Sequence, residues 1–128
     1  MTAVAQPLIY VRDVKASSKW YSTVLGAMSG HGGDEYERIQ FGDDFVMQLH
    51  SWEDEHHHGT PGDPTKPVGN GFLLWFAVDN FEAAHARIEK LGAKIHTARH
   101  VNPNAQQWEV WLYDPDGYIV VIAGPPMA

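Results

Sequence analysis

One pattern occurs twice in the chain. "PLIYVRDVKASSKWYSTVLGA", starting at Pro7, and "LLWFAVDNFEAAHARIEKLGA", starting at Leu73, each pass from a short β-type run through a polar break into an amphipathic helix ending in Leu-Gly-Ala. The break is Arg12-Asp13 in the first copy and Asp79-Asn80 in the second. Apolar residues recur at helical spacing in both: Val14, Trp20, Tyr21, Val24 and Leu25, then Phe81, Ala84, Ile88 and Leu91. Gly26 and Gly92 stand where a helix closes in the left-handed conformation. Two copies of one βα unit therefore begin about half a chain apart.

Strand-like runs follow each helix. In the first half they are "YERIQF" and "FVMQLH", joined by a Gly42-Asp43-Asp44 hairpin turn. In the second they are "AKIHTA", "QWEVWLY" and "YIVVIA", the last two separated by Asp114-Pro115-Asp116-Gly117. Pro115 presets φ and Gly117 accepts positive φ, so this tetrapeptide reads as a turn; a calcium loop would need spaced carboxylates and a closing Glu. The β-branched run Ile119 to Ile122 suits a strand buried on both faces, bounded by Gly124 and stopped by Pro125-Pro126. Between the halves, "SWEDEHHHGTPGDPTKPVGNG" is polar and rich in Gly and Pro, and reads as a linker. The expected organisation is α+β: one domain over residues 1–128, with βαβββ modules at 6–52 and 72–124 and a linker at 53–71.

Bulk properties exclude several classes. A chain of 128 residues is the size of one domain with a real core. No apolar stretch approaches the roughly 20 residues that span a bilayer, and the opening residues lack the basic and apolar segments of a signal peptide, so no membrane association and a cytoplasmic location are expected. Absence of cysteine removes disulfides, thiolate metal sites and thiol nucleophiles. Nine Lys and Arg against sixteen Asp and Glu, a net charge of −7, speak against nucleic acid and favour a neutral or cationic small-molecule partner.

Paired βαβββ modules, with "YVRDVKASSKWYSTVLG" and "DPDGYIVV" as their best local signatures, resemble the vicinal oxygen chelate superfamily, which includes glyoxalase I, extradiol dioxygenases and the bleomycin-resistance proteins. The resemblance covers nearly the whole chain. It implies modules curled into a half-barrel cleft, the glyoxalase/bleomycin resistance fold, and a homodimer. Members that are metal enzymes commonly place one ligand on the first and one on the last strand of each module. Those places fall on Gln6, Gln48, Leu73 and Val121. Leu and Val have no lone pair, and neutral amides are poor ligands for metals usually held by imidazole and carboxylate. A slip of one residue would substitute Phe72 or Val120, which cannot ligate either. No metal and no other cofactor are therefore expected.

Strand alternation then defines what lines the cleft. Tyr10, Gln48, His50, Trp75, Glu109, Trp111 and Tyr113 form an expected aromatic lining with polar handles, suited to a flat or amphipathic organic ligand. Ile9, Val11, Val110 and Leu112 face the other way. Trp20 is expected in the core; Trp75 and Trp111 are open to either core or ligand roles, and Trp52 and Trp108 lie near loops. The consecutive histidines of Glu53 to His58 cannot all converge on one ion and read as a solvated loop, while His31, His96 and His100 read as surface or strand-edge residues. His50 with Glu109 is a candidate general base and its orienter. The leading expectation is metal-independent binding and sequestration of a small, antibiotic-like molecule, bleomycin-resistance-like, with no catalytic residue assigned. The alternative is a glyoxalase-like lyase or isomerase, or a dioxygenase, using a nonstandard metal site or metal-free acid and base chemistry.

Overall fold

The computed structural model describes residues 4–52 and 62–126; Glu53 to His58 and the rest of 53–61 lie outside the described residues. The elements are β1 (Leu8–Val11), α1 (Val14–Leu25), β2 (Met28–Ser29), β3 (Tyr36–Phe41), β4 (Asp44–Ser51), β5 (Leu74–Ala77), α2 (Phe81–Leu91), β6 (Lys94–Asn102), β7 (Gln107–Tyr113) and β8 (Ile119–Pro126). This is the βαβββ order twice, an α+β fold with two four-stranded mixed sheets, ordered β1-β4-β3-β2 and β5-β8-β7-β6. In each sheet the module's first strand runs parallel to its last, and the other neighbours are antiparallel. The chain divides into two compact units between Lys66 and Pro67, within the expected linker, with Thr23–Leu25 belonging to the second.

Both helices start and stop by the same chemistry. Asp13 and Asn80 are extended N-caps whose side-chain oxygens accept from Ala16 N and Ala83 N, each at 3.0 Å. Each satisfies an N–H that the first helical turn leaves without an acceptor. Gly26 (φ 68) and Gly92 (φ 71) close the helices in the left-handed region, where a Cβ would be strained.

In the first module, burial alternates along the strands. Ile9, Val11, Ile39, Met47 and Leu49 are buried, and α1 buries Val14, Ser17, Ser18 and Tyr21 at helical spacing. Trp20, expected in the core, is only half-buried and meets the Tyr21 ring edge-on at 4.8 Å. It lies one residue, about 100°, round the helix from Tyr21 and so at the border of the buried stripe. The β3–β4 connection is a two-residue turn, Gly42-Asp43, because Asp44 already pairs with Phe41; Gly42 has φ 56, as the first central position of such a turn requires. Beyond it a bulge leaves Val46 without its own partner, since Ile39 pairs with Met47 and Gln40 with Phe45.

In the second module α2 buries Phe81, Ala84 and Ile88. Strand β8 lies between β5 and β7, and Val120, Val121 and Ile122 have no exposed surface. Gly124 admits α2: a Cβ there would stand 2.3 Å from Phe81 Cβ. The strand does not stop at Gly124 but continues to Pro126, which pairs with Gln107. Pairing to β5 ends at Ala77–Ala123, so the prolines lie where β8 is free on that side and their missing N–H breaks no ladder there. Strand β6 is longer than "AKIHTA" because β7 pairs with it out to Asn102, across two bulges. In the β7–β8 turn Asp114 is buried; its Oδ1 accepts from Asp116 N at 2.8 Å and Tyr118 N at 2.9 Å, and Gly117 has φ 99.

Candidate functional site

Two aromatic faces, one on each sheet, carry the candidate residues. Directly paired residues share a face, so the registers assign them. On the first sheet one row reads Tyr10–His50–Tyr36 and the next Leu8–Gln48–Arg38. The Tyr10 ring lies 5.2 Å from His50 and 5.3 Å from Trp52, and Tyr36 lies 6.3 Å from His50. His50 is buried, with Nδ1 2.8 Å from Ser51 O; a carbonyl only accepts, so this nitrogen donates. Tyr36 donates its hydroxyl to Gln48 Oε1 at 2.6 Å, and Gln48 Nε2 donates to Gln6 O at 2.9 Å. Burial pushes the Tyr36 phenol up, with Arg38 opposing and Glu37 adding to the rise. The bulge at Val46 brings Phe45 onto this face, where its ring lies 5.7 Å from the Arg38 guanidinium carbon.

On the second sheet the central row is Trp75–Val121–Trp111–Thr97, flanked by Ile119–Tyr113–Lys94 and Ala123–Glu109–His100. Glu109 is 2 % exposed. Its Oε2 accepts from Asn102 Nδ2 at 2.7 Å, its Oε1 accepts from Trp111 Nε1 at 3.1 Å, and His100 Nε2 stands 3.5 Å from Oε1. Asn102 also uses Oδ1 to accept from Asn104 N at 2.9 Å, which ties the β6–β7 turn to the same carboxylate. The His96 ring lies 5.5 Å from Trp111 and 5.2 Å from Tyr113, and Lys94 Nζ lies 5.0 Å over Tyr113. Trp75 is 45 % exposed.

Tyr10, Gln48 and His50 thus lie on the first face, and Trp75, Glu109, Trp111 and Tyr113 on the second. Within its own module His50 donates to Ser51 O, and Glu109 is engaged by Asn102, Trp111 and His100. His96 and His100 do sit on an edge strand, but they engage the aromatic face instead of standing alone. Both share the parity of Lys94 on that face, and the bulges in β6 bring Thr97 onto it as well. Trp108 faces the helix side, stacked at 5.9 Å on Phe81 with Arg99 4.3 Å above its ring.

The registers also test the metal-ligand positions. Leu8 pairs with Gln48 and Trp75 with Val121, so Gln6 and Leu73 each precede an equivalent pair by two residues. The offset is the same in both modules. The Gln48 amide is bonded at both ends, and Leu73 and Val121 offer no donor atom. Among the described residues no three His, Cys, Asp or Glu side chains group as metal ligands. These four positions do not fit the imidazole and carboxylate set that a divalent metal needs.

The fold agrees with comparisons to known proteins. The Glyoxalase/Bleomycin resistance protein/Dioxygenase superfamily model matches residues 3–122, and the chain belongs to that superfamily. No curated protein matches it in sequence. Among solved structures it is similar to a lactoylglutathione lyase from Agrobacterium tumefaciens (20 % identity, TM-score 0.69, 97 % of this chain and 94 % of that one). It is also similar to a fosfomycin resistance protein from Mesorhizobium loti (14 %, 0.68, 99 % and 95 %). A glyoxylase/bleomycin resistance protein/dioxygenase domain from Frankia sp. EAN1pec is a third (19 %, 0.68, 100 % and 95 %). Identities this low carry the fold alone. No described helix is long and apolar enough to cross a membrane.

Proposed function

We propose that this protein binds a small, flat organic molecule without a metal, against the aromatic face of its second sheet, and sequesters it in the manner of a bleomycin-resistance protein. The observation that carries this reading is Trp75. Its indole is 45 % exposed, in one row with Trp111, while on the opposite face of the same sheet Phe81 of α2 lies against Gly124 and Trp108. An exposed indole on the same face as a second indole fixed by a hydrogen bond, with Val121 between them, can serve as a stacking platform. The chain's acidic charge favoured a cationic ligand, yet Glu109, the one carboxylate among the expected ligand residues, is buried and engaged by three partners. Planarity, more than positive charge, is the property this face selects. A homodimer is part of the same proposal, carried over from the resemblance.

The test is a tryptophan-fluorescence titration of the full chain with planar aromatic compounds, neutral and cationic, alongside metal analysis after incubation with nickel, zinc, manganese or ferrous iron and desalting. Saturable quenching that Trp75→Ala abolishes, with near-zero metal, is the expected result. About one ion per chain that survives replacement of His56, His57 and His58 by Ala would overturn it in favour of a metal enzyme. Absence of quenching by every compound would mean that the indoles serve packing only.

A second reading has one specific observation behind it. His100 Nε2 lies 3.5 Å from a buried carboxylate, the arrangement of a base and its orienter, which supports metal-free lyase or isomerase chemistry. That reading requires turnover, of a glutathione hemithioacetal for example, which His100→Gln abolishes.

A further inference from the structure

We infer that the aromatic face of the first sheet carries an oxyanion subsite at Arg38, for the carboxylate or phosphate group of a small organic acid. Arg38 lies on β3 beside Gln48, half-buried, and its Nε is buried with no hydrogen-bond acceptor among the described residues. None of its described polar neighbours accepts from Nε. The Tyr36 hydroxyl and the Gln48 amide oxygen bond one another, and the Gln48 nitrogen donates to Gln6 O. Glu37, next in sequence, is buried on the opposite face, where its carboxylate accepts from His31 N at 2.6 Å, Gly32 N at 2.7 Å and Arg38 N at 2.8 Å.

A desolvated donor on a permanent cation is costly to leave unmet, so an orphan of this kind marks where an ion or ligand completes the structure. The planar guanidinium matches the two oxygens of a carboxylate or phosphate, and Phe45 lies against it at 5.7 Å, as a stacking support for the fork. Phe45 reaches that place only through the bulge at Val46. The subsite is on the first module and uses neither Trp75 nor Trp111, so it goes beyond the aromatic-platform reading and stands or falls separately.

The test is a nitrogen-15 NMR titration of the full chain, following the Arg38 Nε–H signal, with benzoate and with inorganic phosphate against sodium chloride at equal ionic strength. A saturable shift with either oxyanion, and none with chloride, is expected; the stronger of the two identifies carboxylate or phosphate as the preferred group. Arg38→Lys keeps the charge but loses the fork, and should weaken that binding about tenfold or more, as the loss of a charge-assisted hydrogen bond implies. The inference is overturned if neither oxyanion moves the Nε–H signal beyond the chloride control, or if Arg38→Lys binds as tightly as the parent. The parent titration decides the first point even if the variant folds poorly. A shift at Arg38 without tryptophan quenching would sustain this subsite and sink the platform reading, and the reverse result would do the opposite.

Discussion

Trp111 donates its indole N–H to Glu109, two residues earlier on the same strand and the same face, at 3.1 Å. The carboxylate is buried and takes a second donor from Asn102, so it fixes the ring while satisfying the turn that joins β6 to β7. An oriented, hydrogen-bonded indole loses little freedom when a ligand stacks on it.

Glu109→Gln should therefore do more than remove a charge. Both oxygens face donors, and an amide presents only one oxygen, so its NH2 group must meet Asn102 Nδ2 or Trp111 Nε1 donor to donor. The expected loss is about 1–3 kcal/mol in urea unfolding, with lower fluorescence anisotropy from a freed Trp111. In combination with Trp111→Phe the losses should be less than additive, because the second change removes one of the two opposed donors.

Gly124→Ala should destabilise the second module by about 1–3 kcal/mol through overpacking. The added Cβ would lie 2.3 Å from Phe81 Cβ and 3.0 Å from its Cγ, so either α2 or β8 has to shift. Phe81→Leu in the same chain tests the cause: it should recover part of the loss, measured as the urea midpoint, if the contact with the ring is what opposes the methyl.

The repeat was readable because its signals are local: a cap residue, a helical stripe and a glycine, twice, at Asp13 and Gly26 and again at Asn80 and Gly92. The inward and outward sets of β1 and β7 were readable for the same reason, since alternation held from Leu8 to Val11 and from Glu109 to Tyr113. Strand β2 was not. Two residues, Met28 and Ser29, are too few to show a period, and only their pairing with Gln40 and Ile39 defines them. Bulges hid the rest. Phe45 stands on a face that strict alternation does not give it, and the approach of His100 to Glu109 is set by tertiary register across β6 and not by sequence spacing.

The Glu82 carboxyl is held below the usual glutamate range chiefly by its hydrogen bond to Arg99; desolvation opposes this, and the charges of Arg99 and His85 add smaller lowering effects. A folded-state pKa below the unfolded one contributes stability above the unfolded value, about 4.3, that disappears as pH falls through the folded value. Glu82→Gln should thus flatten the acid limb of the stability curve by lowering stability at neutral pH, where the contribution is present, with parent and variant converging below the folded value. A carbon-13 carboxyl titration checks the cause directly: Arg99→Met should return the Glu82 midpoint toward the ordinary value.

Asp114→Ala and Asp114→Asn separate the turn role of this buried residue from any role as a cation ligand. One oxygen, Oδ1, accepts from both Asp116 N and Tyr118 N, and an asparagine oxygen can do the same, whereas alanine leaves those N–H groups without that acceptor. Alanine should cost about 1–3 kcal/mol and asparagine distinctly less, both read from urea midpoints. A cation site would behave in the opposite way: millimolar calcium would raise the midpoint of the parent, and asparagine, having lost the charge, would abolish that rise. With Gly117 at φ 99 and its N–H 3.1 Å from Asp114 O, the four residues already close on themselves, and calcium should leave the midpoint of all three chains where it was.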